Sequence, residues 1–132
     1  MRPRNQRKPK EFLQVDTLEP SEGVVVLEVT GEVDVWTSPI LEQALEKAME
    51  QQSIVGIDLR NTSYLDCSGL TVIAKAWNQT RDNESDVRLI VHKDQKHFHR
   101  ILEITGLDKI FEVYHSFEDF LNPPRPQLCP VT

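Results

Sequence analysis

The residues able to act on another molecule gather in two short stretches, Gly31-Glu32-Val33-Asp34 and Tyr64-Leu65-Asp66-Cys67-Ser68-Gly69-Leu70. In the second, an aspartate with the composition of a helix N-cap is followed by a thiol, a hydroxyl and a glycine. That order puts Cys67, Ser68 and Gly69 in the first turn of a helix, where backbone N–H groups point outward. A partly positive field results, and it favours a phosphoryl group and a thiolate alike.

Other chemistries fit these residue types less well. A cysteine nucleophile at a helix start points to a phosphatase with a Cys-x5-Arg cradle, but counting on from Cys67 puts Ile73 at the arginine position. The oxyanion-binding cation is missing, so the phosphatase reading is poor. His92, His97, His99 and His115 raise the question of a metal. His97 and His99 are two apart and diverge around a helix, whereas helical ligand pairs sit three or four apart. They are read as surface side chains, and no metal or cofactor is expected. Trp77 lies on an apolar stripe with Leu70 and Ile73 and reads as core.

Elements that would position the two stretches follow from hydrophobic periodicity. Residues 12–18 read as an edge strand, 19–23 as a hairpin turn and 24–30 as a second strand that Gly31 breaks. Ser38-Pro39 supplies a cap and an N1 proline ahead of Ile40, Leu41, Ala44, Leu45, Ala48 and Met49, which share one helical face. Residues 53–59 are apolar enough for a parallel strand covered on both faces. This strand delivers the chain into the Cys67 turn and a second amphipathic helix bearing Leu70, Ile73, Ala74 and Trp77.

Val87, Leu89, Ile90 and Val91 mark a fourth strand. Asp94 is placed to cap a third helix with Phe98, Ile101 and Leu102 inward, and Gly106 to end it in the left-handed conformation. Residues 110–113 read as the last strand, and Ser116 as the cap of a final helix. The order ββαβαβαβα implies a mixed five-stranded sheet with its helices mainly on one side. The two acid-bearing turns then meet at the carboxyl ends of parallel strands, where α/β folds place their sites.

Charge narrows the partners. The net charge is −6 although the first ten residues carry five cations and no acid, which leaves −11 for the remainder. An acidic body of that size argues against binding the phosphate backbone of nucleic acid, which needs a basic face to displace counterions. No apolar run approaches the roughly 18 residues of a membrane span, and no secretory signal is apparent. Cys67 and Cys129 form no disulfide framework, so a reducing cytoplasm is expected. Six of the eight prolines lie in the tails. The expected organisation is a disordered basic arm at 1–10, a folded domain at 11–122 and a proline-rich tail at 123–132.

Four stretches in order, GEVD at 31–34, GIDLR at 56–60, YLDCSGLTVI at 64–73 and HRILEITGLDKIF at 99–111, resemble the STAS domain of bacterial anti-sigma-factor antagonists. The resemblance implies the STAS fold, a binding module and not an enzyme, and a cycle. Dephosphorylated antagonist docks on an anti-sigma factor that is also an ATPase-type serine kinase, and so frees a sigma factor. Phosphorylation ends the docking, and a metal-dependent serine phosphatase restores it. The acceptor serine or threonine directly follows the motif aspartate, a position that Cys67 occupies here. Three readings of Cys67 follow: an antagonist insulated from its kinase, a thiol switch that uses oxidation, or a small half-buried residue with Ser68 as a shifted acceptor. By the same resemblance, Asp34, Trp36, Asp66, Cys67, Ser68 and Gly69 form the partner surface, with Trp36, in the turn beside Asp34, fitting a docking role and a packing role equally. The rival use of the fold is a non-phosphorylatable adaptor subunit in a transport or stress-sensing complex.

Overall fold

The computed structural model describes residues 13–51, 53–83 and 85–123. The basic arm at 1–10, nearly all of the proline-rich tail and Cys129 lie outside the described residues. β1 (Leu13–Ser21) and β2 (Val24–Val33) form an antiparallel hairpin turned at Gly23, whose φ of 82° suits a residue without a side chain. β3 (Ile54–Asp58), β5 (Asp86–Ile90) and β6 (Glu112–Tyr114) add in parallel, giving the order β1-β2-β3-β5-β6. These are the five strands of the expected mixed sheet. A sixth, β4 (Thr62–Leu65), lies off this path and pairs in parallel with the end of β2.

β4 depends on a feature that the sequence reading placed differently. β2 does not break at Gly31; it takes a φ of 115° there, shifts register before Glu32 and continues to Val33. Its first half therefore pairs with β3 and its last three residues with β4.

Alternation along the strands sorts the core into two faces. Val25, Leu27 and Val29 of β2, with Val55 and Ile57 of β3, face the main core. Helix α1 (Ser38–Gln51) buries Leu41, Leu45, Ala48 and Met49 there, and α2 (Cys67–Asn83) buries Val72, Ile73 and Ala76. Trp77 packs half-buried against the same cluster. Helix α3 (Lys96–Thr105) inserts Phe98 and Leu102. On the opposite face Val26 and Ile90 meet Phe120 of the short helix α4 (Phe117–Leu121). The ring of Phe120 lies so close to Gly56 that a Cβ there would fall 2.7 Å from Cζ. The packing of this helix thus selects glycine in the central strand.

Several local expectations move by a residue or change their cause. α1 already includes Ser38, so Pro39 is its second residue. Asp94 does not cap α3. Gln95 occupies the cap position without a side-chain cap bond, and its amide instead accepts from His92 N at 2.7 Å and donates to Leu59 O at 2.9 Å. The last strand begins at Glu112 because residues 107–109 form a 3-10 turn and the Phe111 N–H closes on Leu107 O at 2.9 Å, burying the Phe111 ring. Gly106 stops α3 with φ 79°, and Ser116 Oγ caps α4 by accepting from Asp119 N at 3.0 Å. Both follow the sequence reading. Among the described residues no helix is long and apolar enough to cross a membrane.

Candidate docking edge

Parallel pairing sets Val33 against Leu65, and the Asp66 N–H then donates to Val33 O at 3.2 Å. Asp34 and Asp66, the next residues on each strand, therefore start neighbouring loops on one edge. Asp34 Oδ1 accepts from Trp36 N at 2.9 Å and Thr37 N at 3.0 Å. Thr37 Oγ1 accepts from Asp34 N at 2.9 Å and donates to Glu32 O at 2.7 Å. With Thr37 buried, this closed set of bonds fixes the turn and leaves Val35 66% and Trp36 80% exposed. Asp34 is thus a turn residue by geometry, and the turn it builds holds an indole out in solvent. Of the two roles open for Trp36, packing is not the one realised.

On the second loop, Asp66 caps α2. Its Oδ1 accepts from Ser68 N at 2.9 Å, Gly69 N at 3.3 Å and the Ser68 hydroxyl at 2.6 Å. The Ser68 hydroxyl is the largest influence holding the Asp66 carboxyl below its ordinary range; burial opposes it and the Gly69 and Ser68 N–H groups reinforce it. Cys67 and Ser68 consequently differ in access: the Cys67 side chain is exposed, while Ser68 is half-buried with its hydroxyl directed at a carboxylate. Gly69 is buried because α2 begins close against both strands. A Cβ there would collide with Leu65 and lie 2.7 Å from Val33 Cγ1.

The structure thus brings Asp34, Trp36, Asp66, Cys67, Ser68 and Gly69 to one edge. It adds two exposed apolar residues that the sequence reading did not single out, Val35 and Tyr64, the latter 49% exposed. Tyr64 was hard to find because β4 is four residues long and exposes both of its middle positions, so alternation is absent. Farther off, His99 and His115 come together with ring centroids 5.4 Å apart, each also against a backbone carbonyl, His92 O and Val91 O respectively. Local spacing could not reveal that pair, since the two residues belong to different elements.

Fold and edge together define an α/β domain that presents a helix start and an adjoining rigid turn at the carboxyl ends of parallel strands. The STAS domain family model matches residues 17–120, and the chain belongs to the STAS domain family. It is 38% identical over 86 residues to the anti-sigma-B factor antagonist of Listeria monocytogenes, covering 64% of this chain and 74% of that one. The anti-sigma F factor antagonist of Paenibacillus polymyxa is 28% identical over 106 residues, covering 79% and 88%. Among solved structures, an anti-sigma factor antagonist from Mycobacterium paratuberculosis superimposes with a TM-score of 0.69 at 30% identity, covering 82% of this chain and 92% of that chain. The resemblance drawn from the four sequence stretches is the family that these comparisons show.

Proposed function

We propose that this protein is a cytoplasmic anti-sigma factor antagonist, a binding module and not an enzyme, which docks on an ATPase-type anti-sigma factor through the edge formed by Asp34, Val35, Trp36, Tyr64 and the first turn of α2. The observation that carries the reading is an exposed Cys67 at the start of α2, whose neighbour Asp66 donates its N–H to Val33 O at the end of the strand that leads into the Trp36 turn. A partner covering that edge buries an aromatic anchor and the helix start together. A phosphate dianion placed there would be repelled by Asp34 and Asp66 and would have to be desolvated on docking. Cysteine keeps the size of the usual acceptor but offers no hydroxyl to a serine kinase. The Ser68 hydroxyl is half-buried and engaged with Asp66, so a phosphate on it would press against that carboxylate. These features favour an antagonist insulated from its kinase over a shifted acceptor at Ser68.

The test is affinity capture from the native bacterium with ATP or ADP present. The reading predicts recovery of an anti-sigma factor of the ATPase type that phosphorylates Cys67→Ser and leaves wild type unmodified. Cys67→Asp should bind it more weakly, and Cys67→Ser should bind as wild type does. Equal binding by wild type and Cys67→Asp counts against this edge. Capture of a transport or stress-complex subunit in place of the anti-sigma factor favours the adaptor reading, to which a cysteine without acceptor chemistry also conforms.

A further inference from the structure

The body of the domain is acidic, yet one stretch of its surface is cationic. Lys93, Lys96 and Arg100 are exposed on the loop and first turns that begin α3, and with His97, His99 and Glu103 they line an open groove of about 530 Å³. Lys96 and Arg100 stand four residues apart on one helical face, with Lys93 a turn before them. Elsewhere the domain pairs several of its cations: Arg60 with Asp58 at 2.8 Å, Lys75 with Glu42 at 2.7 Å, and Arg88 with Asp86 at 2.8 Å. Among the described residues Lys93, Lys96 and Arg100 form no ion pair. The nearby acids in sequence are Asp94 and Glu103, so the stretch keeps a positive excess.

Position gives the excess a use. The loop ahead of α3 leaves the carboxyl end of β5, the same end of the sheet at which β2 and β3 release the Asp34 loop and the segment leading to Cys67. Gln95 fastens it to that segment by donating to Leu59 O at 2.9 Å, and Leu59 N in turn donates to Ile90 O at 2.9 Å. One edge therefore carries carboxylates at Asp34 and Asp66 and, beyond the Leu59 segment, unpaired cations.

We infer that the groove at Lys93, Lys96 and Arg100 receives an acidic segment of the same protein partner that covers the Cys67 turn, an inference that rests on the docking reading for the partner's identity. Charge complementarity selects the occupant. The −11 body as a whole disfavours an acidic segment, and this groove gathers three cations of the domain in one place, so contact there favours one orientation of the partner as it reaches Trp36. Nucleic acid would meet the same repulsion along a much longer track. Attraction of this kind acts over about 8 Å at physiological salt, which confines it to partners already close to the edge.

The experiment has two arms. In the first, backbone amide shifts of the full chain are followed by NMR during titration with a deca-glutamate peptide, with inorganic phosphate and a single-stranded oligodeoxynucleotide in parallel. The expected result is shifts clustered at residues 93–100 with the peptide, fading as salt is raised and absent in the K93E/K96E/R100E variant. Peptide shifts absent from α3, or a stronger α3 response to phosphate or the oligonucleotide, would overturn the inference. This arm does not involve the Cys67 turn, so its failure is separate from failure of the docking reading. In the second, association with the captured anti-sigma factor should slow about tenfold or more at low salt in the triple variant. An unchanged association rate, alongside a binding loss in Trp36→Ala, would leave the docking edge standing and remove the groove.

Discussion

The Ser68 hydroxyl donates to Asp66 Oδ1 at 2.6 Å, the same oxygen that receives the Ser68 and Gly69 N–H groups. One carboxylate oxygen thereby caps α2, orients the first turn and occupies the hydroxyl next to Cys67. This explains how adjacent thiol and hydroxyl groups come to have different access, and it ties the stability of the edge to the ionisation of Asp66.

Ser68→Ala removes the largest influence on that ionisation. A carboxyl held low contributes stability that is present above its unfolded value and is lost as pH falls through its folded value. Wild type should therefore lose stability more steeply than Ser68→Ala on the acid side of the ordinary carboxylate range. At neutral pH the substitution should cost about 1 kcal/mol. Urea unfolding at pH 7 and at a series of acid pH values checks both; parallel pH profiles would show that the hydroxyl does not govern Asp66.

Gly69→Ala should destabilise in spite of alanine's better helix propensity. The propensity gain is about 1 kcal/mol. Against it stands a methyl group driven into Leu65 and Val33, a form of overpacking that costs about 1–3 kcal/mol. Chemical denaturation decides the sign, and a more stable variant would mean that α2 can lift off the strands at no cost.

Phe120 and Gly56 should be energetically coupled. Phe120→Ala alone should cost about 3–5 kcal/mol, because it empties the small core on the α4 face. Gly56→Ala should be harmful beside Phe120 and far less so in Phe120→Ala, since the atoms it would strike are those of the ring. A double-mutant cycle in unfolding free energy measures this, with additive effects as the contrary outcome.

Trp36→Ala should leave the unfolding free energy within about 0.5 kcal/mol of wild type while weakening partner binding by about 2 kcal/mol or more, as loss of an exposed aromatic anchor would. Thr37→Val should do the reverse in order of events. It leaves Asp34 N and Glu32 O without their side-chain partner, destabilises the turn by about 1–3 kcal/mol and reduces binding as a secondary effect. Calorimetric unfolding and a binding titration on both variants separate the two behaviours.

Much of this could be read from residue order because the informative signals are local. The apolar face of α1, the alternation in β2 and β3, the glycine stop at Gly106 and the Ser116 cap each depend on a few consecutive residues. Asp66 as N-cap belongs with them. The features missed were set by partners distant in sequence. β4 exists because β2 passes through Gly31 without ending, and its own four residues carry no period. Gln95 displaces Asp94 at the start of α3 because its amide has a carbonyl to reach at Leu59. The Asp34–Thr37 bonds, which decide that Trp36 is exposed, depend on Thr37 folding back to Glu32.

The course of β2 also sets how quickly the edge can open. Because one strand serves β3 with its first half and β4 with its last three residues, the Asp66 amide is held on the end of a strand anchored in the sheet, and exchange of its hydrogen with solvent requires the junction of β2 and β4 to part. Its exchange should be slow for a residue so near a loop. A surface held this way arrives at its partner already shaped, so little of the association energy is spent on ordering it.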